Sequence, residues 1–425
     1  MHYPSLLSAR NLGSRIHYGY VIILMGTLTM LGTQGFTRFG YNMLLPGMRE
    51  ALGFNFTEMG LLATANYVGY AATNSVVGWV VVRWGFRRTI AIATGVVGTA
   101  MFLTGAAPSY GTALALQVIA GIGVAMAITP AMSLPGAWFA SHRRGMATGV
   151  TSAGGPLGSL VTGLLIPTLV ISFGAMGWRY GWFALGALAL AFGVLNLALL
   201  RNHPNEMGLE PVGAVPGSKQ SPRQERLNWR VVYRSPLVWH LSLLSLISTL
   251  SAISFNTFFT AYVIKEHAMD ASVAGQLWAL QGIAGVASGF IWGSISDRIG
   301  RRYALMGTFA TQAICFALFA AGGGLVVFAL CAIMYGVTAR AAFTVVASYT
   351  GDVMEPRLAA AALGASSMFA GVGQALGPTI AGFIADSTSS FTLAFWGSAA
   401  LILLGAFGAA LLSKKPLPRH SYEAG

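Results

Sequence analysis

From Thr89 to Ser141 the chain runs 53 residues without one Asp, Glu, Lys or Arg, and from Tyr303 to Gly351 it runs 49 residues with a single charge, Arg340. Roughly 20 apolar residues of helix cross the hydrocarbon core of a bilayer, so each run holds a pair of helices joined by a barely polar turn. Only 9% of the 425 residues are charged and 55% are apolar, against about 25% charged in an average soluble domain. The chain is therefore an all-α membrane protein. Breaking the apolar stretches at charge and Gly/Pro clusters predicts twelve helices, at 18 to 46, 58 to 82, 88 to 107, 111 to 139, 145 to 172, 180 to 200, 237 to 263, 272 to 295, 303 to 321, 325 to 350, 358 to 385 and 390 to 412.

The formal charge of +13 is not a nucleic-acid signature, because the cations are scattered at the ends of apolar runs. Twenty of the 25 Lys and Arg fall on one side of the predicted spans, among them Arg83, Arg87, Arg143, Arg144, Arg298, Arg301 and Arg302; Arg49, Arg179 and Lys265 fall on the other. By the positive-inside rule this asymmetry places both termini in the cytoplasm, together with the connection 201 to 236. That connection is rich in Pro, Gly, Gln and Arg and reads as a linker between an N-terminal six-helix bundle, 1 to 200, and a C-terminal bundle with a short tail, 237 to 425. The first apolar run is too long for a signal peptide and lacks a small-residue cleavage site, so it reads as an uncleaved helix. Cys315 and Cys331 lie in apolar runs without metal spacing and read as packing residues.

The two bundles look like copies. With a constant shift of 215 residues, Gly60 falls on Gly275, Gly78 on Gly293, Gly85 on Gly300, Arg87 on Arg302, Gly121 on Gly336 and Gly149 on Gly364. Duplicated six-helix units related by an axis along the membrane normal are a transporter architecture.

Between predicted helices 8 and 9, residues 293 to 302 read GSISDRIGRR, which resembles the G-x-x-x-D-R-x-G-R-R pattern of the major facilitator superfamily. The first-half copy, GWVVVRWGFRR at 78 to 88, keeps the glycines and cations but has Val82 in place of the aspartate. GFTRFGYNMLLPGM and LLATANYVGY in the first two helices are similar to a bacterial branch, the YbfB/YjiJ-like proteins. NHPNEMGLEP and GWRYGWFALGALAL around helix 6 are similar to the monocarboxylate and oxalate/formate branches. The resemblance implies two pseudo-symmetric bundles, a cavity lined by helices 1, 4, 7 and 10, alternating access, and a location in the bacterial cytoplasmic (inner) membrane. It also implies a gating latch on the cytoplasmic side: Asp297, with Arg298, Arg301, Arg302 and Arg83 around it, facing the start of helix 5 near Arg143 and Arg144, since a carboxylate is favoured at a helix N-terminus.

Charges inside a membrane are costly, roughly 2.5 to 3.5 kcal/mol for Arg on insertion scales, so those retained there are informative. Two arginines remain inside spans, Arg38 on helix 1 and Arg340 on helix 10, and no carboxylate lies deep enough to neutralise either. A guanidinium makes a two-pronged match to carboxylate. The expected substrate is therefore a small organic anion, a mono- or dicarboxylate, held by Arg38 and Arg340. Gln34, Arg38, Tyr41 and Asn42 form one helical stripe, helix 2 offers Asn66, Tyr67, Tyr70 and Asn74, helix 7 Asn256, Thr257 and Thr260, and helix 10 Thr344 beside Arg340. Such side chains serve equally as hydrogen bonds between helices.

Proton-driven members of the superfamily keep a buried titrating carboxylate, and this chain has none. Coupling is left open between proton symport, with the rim residue Glu58 as candidate, and anion exchange. Export of hydrophobic drugs would suit the Phe- and Met-rich spans but not two unneutralised arginines. A membrane-embedded enzyme lacks H-E-x-x-H and G-x-S-x-G, and a membrane sensor lacks an added signalling domain. The chain is read as a monomeric carrier that needs the bilayer and its anion as partners, and protons in the symport alternative, with no cofactor, no metal and no nucleic acid.

Overall fold

The computed structural model describes residues 17 to 213, 235 to 353 and 356 to 412. Most of the connection expected over 201 to 236 lies outside them. Twelve helical rods follow one another among the described residues: α1 (Tyr18–Leu52), α2 (Phe56–Asn74), α3 (Val77–Gly105), α4 (Tyr110–Trp138), α5 (Ser141–Phe173), α6 (Gly177–Leu199), α7 (Pro236–Lys265), α8 (Ala271–Ile299), α9 (Arg301–Ala321), α10 (Leu325–Asp352), α11 (Pro356–Thr388) and α12 (Thr392–Ala410). Nine runs are long and apolar enough to span by composition alone. The count rises to twelve because the run from His142 to Leu199 contains both α5 and α6, and because α2 and α8 are not among the nine.

The duplication is visible in the backbone. After a turn at residues 75 and 76, α2 continues into the first turns of α3, and the chain reverses at Gly85, φ 77°; α8 and α9 are separated in the same way by Gly300, φ 91°. Both glycines occupy the positive-φ region that other residues avoid, and they are 215 positions apart. A second pair shows the same symmetry. A Cβ on Gly121 of α4 would stand 2.0 Å from the carbonyl oxygen of Asn66 on α2, and one on Gly336 of α10 would stand 2.5 Å from that of Gln281 on α8. Lipid tails are as apolar as Leu, so helices in a bilayer associate through close packing and hydrogen bonds instead of burial from water. Glycines at these crossings allow that approach.

Within the first half, the segment after α6 folds back on the basic end. Val212 pairs with the α4–α5 turn, donating its N–H to the Trp138 carbonyl at 2.8 Å and accepting from the Ala140 N–H at 3.0 Å. In the second half an aromatic cluster of Phe255, Phe259, Phe316, Phe319 and Phe395 packs α7 against α9 and α12.

The halves meet through α2 with α11, α5 with α8 and α1 with α7. These contacts cluster toward the end opposite the basic loops. Thr64 donates to the Ala375 carbonyl, Gly163 abuts Gly275, and between α1 and α7 the Asn42 side chain donates to the Asn256 carbonyl while the Thr260 hydroxyl donates to the Asn42 carbonyl. Toward the basic end, a Cβ on Gly78, Gly145, Gly149, Gly364 or Gly371 would meet nothing within 4 Å. The two bundles are thus closed at one end and parted at the basic end.

Candidate functional site

Midway along α1, residues Leu31–Gly40 wind as a π-helix of 10 residues. Two local causes are visible. Thr33 and Thr37 turn their hydroxyls back onto the carbonyls of Thr29 and Thr33, which competes with the regular helical ladder, and Gly35 lies against Gly158 and the carbonyls of Gly154 and Gly155 on α5. Wide turns of this kind are frequent at functional sites. Here the turn presents Gln34, Thr37, Arg38 and Phe39 to a cavity that is completed by Tyr41, Asn42, Ala63, Asn66, Tyr67, Gln117, Ile253, Asn256 and Thr257. None of these lining residues is acidic.

Arg38 is the only charge on the lining. Its guanidinium lies over the ring of Tyr67 at 4.5 Å and over that of Tyr70 at 5.0 Å, while Nε and Nη2 are buried without a hydrogen-bond partner. Aromatic faces soften a buried cation by roughly 0.5 to 2 kcal/mol, but they do not neutralise it. The amides around it are held in place by one another. Asn66 donates to Gln117 at 3.3 Å, Gln281 donates to Asn256 Oδ1 at 2.9 Å, and Asn42 donates to the Asn256 carbonyl at 2.9 Å.

Gln34, Arg38, Tyr41, Asn42, Tyr67 and Asn256 gather at the cavity, and Tyr70 sits beneath Arg38. Tyr41 is committed as well, donating to the Met59 carbonyl at 2.6 Å. Arg340 is displaced from its expected place. It does not line the cavity but stands against Gly155 of α5 and donates through Nη2 to Gln34 Oε1 at 3.4 Å. Thr344 is likewise outside, its hydroxyl turned back onto the Arg340 carbonyl at 3.0 Å.

Glu58 has a structural task. Its carboxylate accepts from the Asn55 N–H at 2.8 Å while Asn55 Oδ1 accepts from the Glu58 N–H at 2.8 Å, a reciprocal capping box at the start of α2 and away from the cavity. At the basic end stand the residues of the expected gating latch. Asp297 pairs with Arg301 of its own half, and Arg301 Nε reaches Asp352 at 2.7 Å. Arg144 Nε donates to the Phe139 carbonyl at 3.0 Å, and Arg143 lies beside Gly213. Arg83 lies over the Trp79 ring at 5.7 Å and Arg302 over that of Tyr303 at 5.8 Å, while Arg298 is exposed.

Sequence reading missed Gln117 and Gln281. The signal for Gln281 was present, since it is the 215-residue partner of Asn66.

Two six-helix bundles that close over a polar, cationic cavity from one end and part at the other define a solute carrier of the alternating-access kind. The chain belongs to the Major Facilitator Superfamily, whose family model matches residues 27–322 and 241–425. It is similar to the probable sulfoacetate transporter of Cupriavidus necator, 26% identical over 62% of this chain and 62% of that relative. It is also similar to the hexuronate transporter of Bacillus subtilis, 24% identical over 82% of this chain and 84% of the relative. Among solved structures, a bacterial homologue of the human lysosomal transporter Spinster superposes with a TM-score of 0.72 at 15% identity, covering 94% of this chain and 96% of that one, which is a likeness of fold.

Proposed function

We propose that this chain carries a small organic anion bearing a carboxylate or similar oxyanion, with Arg38 as its primary anchor. The observation that carries the reading is the Arg38 guanidinium on a cavity with no acidic lining, its Nε and Nη2 without partners. A cation so placed gains most from an anion that reaches it. Sulfoacetate and hexuronate, named for two relatives, both carry such a group, which supports the substrate class. Asn42, Asn66, Gln117 and Asn256 serve as neutral hydrogen-bonding groups for the rest of the solute, and Tyr67 and Tyr70 set the pose of the guanidinium.

Arg340 takes the second position on the route. It is joined to the cavity through Gln34, so an anion leaving Arg38 meets a second cation in the other half. The basic end faces the cytoplasm of a bacterial cell, with both termini and the connection 201 to 236 on that side, by the charge asymmetry of the loops. The monomer is the transporting unit and performs no covalent chemistry. With Glu58 occupied in a helix cap, anion exchange, or a proton carried on the substrate, fits better than a titrating rim residue.

The test is a thermal-shift screen of the purified protein against organic acids and their amides, followed by uptake of the best stabiliser into liposomes. An acid that stabilises and is taken up while its amide does neither supports the reading; stabilisation by cationic or neutral solutes alone overturns it.

A further inference from the structure

At the closed end, a carboxylate of one half completes a helix of the other. Asp386, in the last turn of α11, accepts from the backbone N–H groups of Phe56 at 2.9 Å and Thr57 at 2.7 Å, and from the Thr57 hydroxyl at 2.6 Å. Those amides open α2. Its first four N–H groups lack partners in the helical ladder, and the local capping box supplies acceptors for only two of them, Glu58 Oε2 for Asn55 and Asn55 Oδ1 for Glu58. The remaining two are satisfied across the boundary between the halves.

The placement of Asp386 is unfavourable by local rules. A negative charge in the last turn of a helix opposes that helix's own dipole, whereas one at a helix N-terminus is favoured by roughly 0.3 to 1 kcal/mol. The α2 N-terminus offsets the cost that α11 imposes. The same spot is reinforced from both halves: Arg49 lies over the Phe56 ring at 4.2 Å, Lys265 over it at 4.3 Å, and Phe391 meets it edge-on at 4.6 Å. Thr64 and Thr379 join the same two helices about two turns deeper, hydroxyl to hydroxyl at 2.8 Å.

We propose that Asp386 is a latch on the end opposite the basic loops, holding the carrier in the state whose cavity opens at the basic end. When the halves part here, Phe56 and Thr57 lose their acceptor and Asp386 its three donors, so this group opposes the outward transition until substrate contacts compensate. The device is not duplicated. The position 215 residues before Asp386 is Ile171, which is 70% exposed, so only the α2–α11 seam is latched in this way and the α5–α8 seam is closed by glycine packing. The second half thus supplies a carboxylate at each end, Asp297 at the basic one and Asp386 at the other.

The inference rests on alternating access and not on the nature of the solute, so it is tested without substrate. Spin labels at Met176 and Leu393 report the distance across the closed end, and labels at Val82 and Ile299 report the basic end; all four are exposed, and the native Cys315 and Cys331 are buried. D386N should raise the population with a long 176–393 distance and a short 82–299 distance about fivefold, which corresponds to roughly 1 kcal/mol. D270N removes a carboxylate from the same end that makes no side-chain cap bond and should leave both distributions as in wild type. If D386N does not fold, T57V carries the test with a smaller shift in the same direction. Unchanged distances in D386N, or in T57V where D386N fails, overturn the latch; so does an equal shift in D270N.

Discussion

Arg340 of the second half donates a hydrogen bond to Gln34 of the first, at 3.4 Å, on the basic side of the cavity that Arg38 lines. One neutral amide therefore stands between two intramembrane cations. Without an anion the two guanidinium groups repel, and Gln34 Oε1 supplies one partner to the more displaced of them.

Arg340 and Arg38 should then separate kinetically. Arg340→Gln is expected to lower the maximal uptake rate about tenfold or more while changing substrate affinity less than about threefold, because the group lies on the route and not on the lining. Initial rates against concentration in liposomes check this. A Gln34→Leu variant should show the same pattern more weakly; a pure affinity defect in both would assign Arg340 to the binding pocket.

The latch at the basic end has its own comparison. In the state described here Asp297 pairs with Arg301, which also reaches Asp352; as the proposed latch, Asp297 faces the start of α5 once that end closes. Asp297→Asn should reduce transport far more than Val82→Asn, since the first half has no carboxylate to lose. Equal effects on uptake would count against a latch in the second half.

Glu58 should behave as a structural residue. Glu58→Gln keeps a side chain able to accept from the Asn55 N–H, and it should cost about 1 kcal/mol or less of stability, as capping changes do. Uptake driven by an imposed pH gradient is expected to keep its wild-type dependence on that gradient. Loss of the pH response with a normal melting temperature would return Glu58 to the coupling mechanism.

Much of this architecture was legible in the residues. The charge-free runs gave the helices, and the 215-residue shift gave the duplication now seen at Gly85 and Gly300. The polar stripe of α1 was legible because a charge such as Arg38 is rarely kept in a span without a use. The π-winding of Leu31–Gly40 was not, since it depends on Thr33 and Thr37 turning onto backbone carbonyls and on contact between Gly35 and α5, which no spacing rule encodes. Arg340 shows a further limit. Its depth in α10 was readable, but whether it faces the cavity or Gly155 depends on how the two halves are tilted in one state of the cycle. Asp386 was visible only as an acid at a helix end, because its partners are backbone amides some 330 residues away.

Whether Arg38 anchors an anion is measured by calorimetric titration of the best-stabilising organic acid into wild-type and Arg38→Ala protein. Charge-assisted hydrogen bonds contribute about 1.5 to 3 kcal/mol, so the account predicts affinity weakened roughly 10- to 100-fold, with the melting temperature of the unliganded protein unchanged or raised by removal of an unpaired buried charge. Wild-type affinity in Arg38→Ala, or equal binding of the acid and its amide by the wild-type protein, would contradict it.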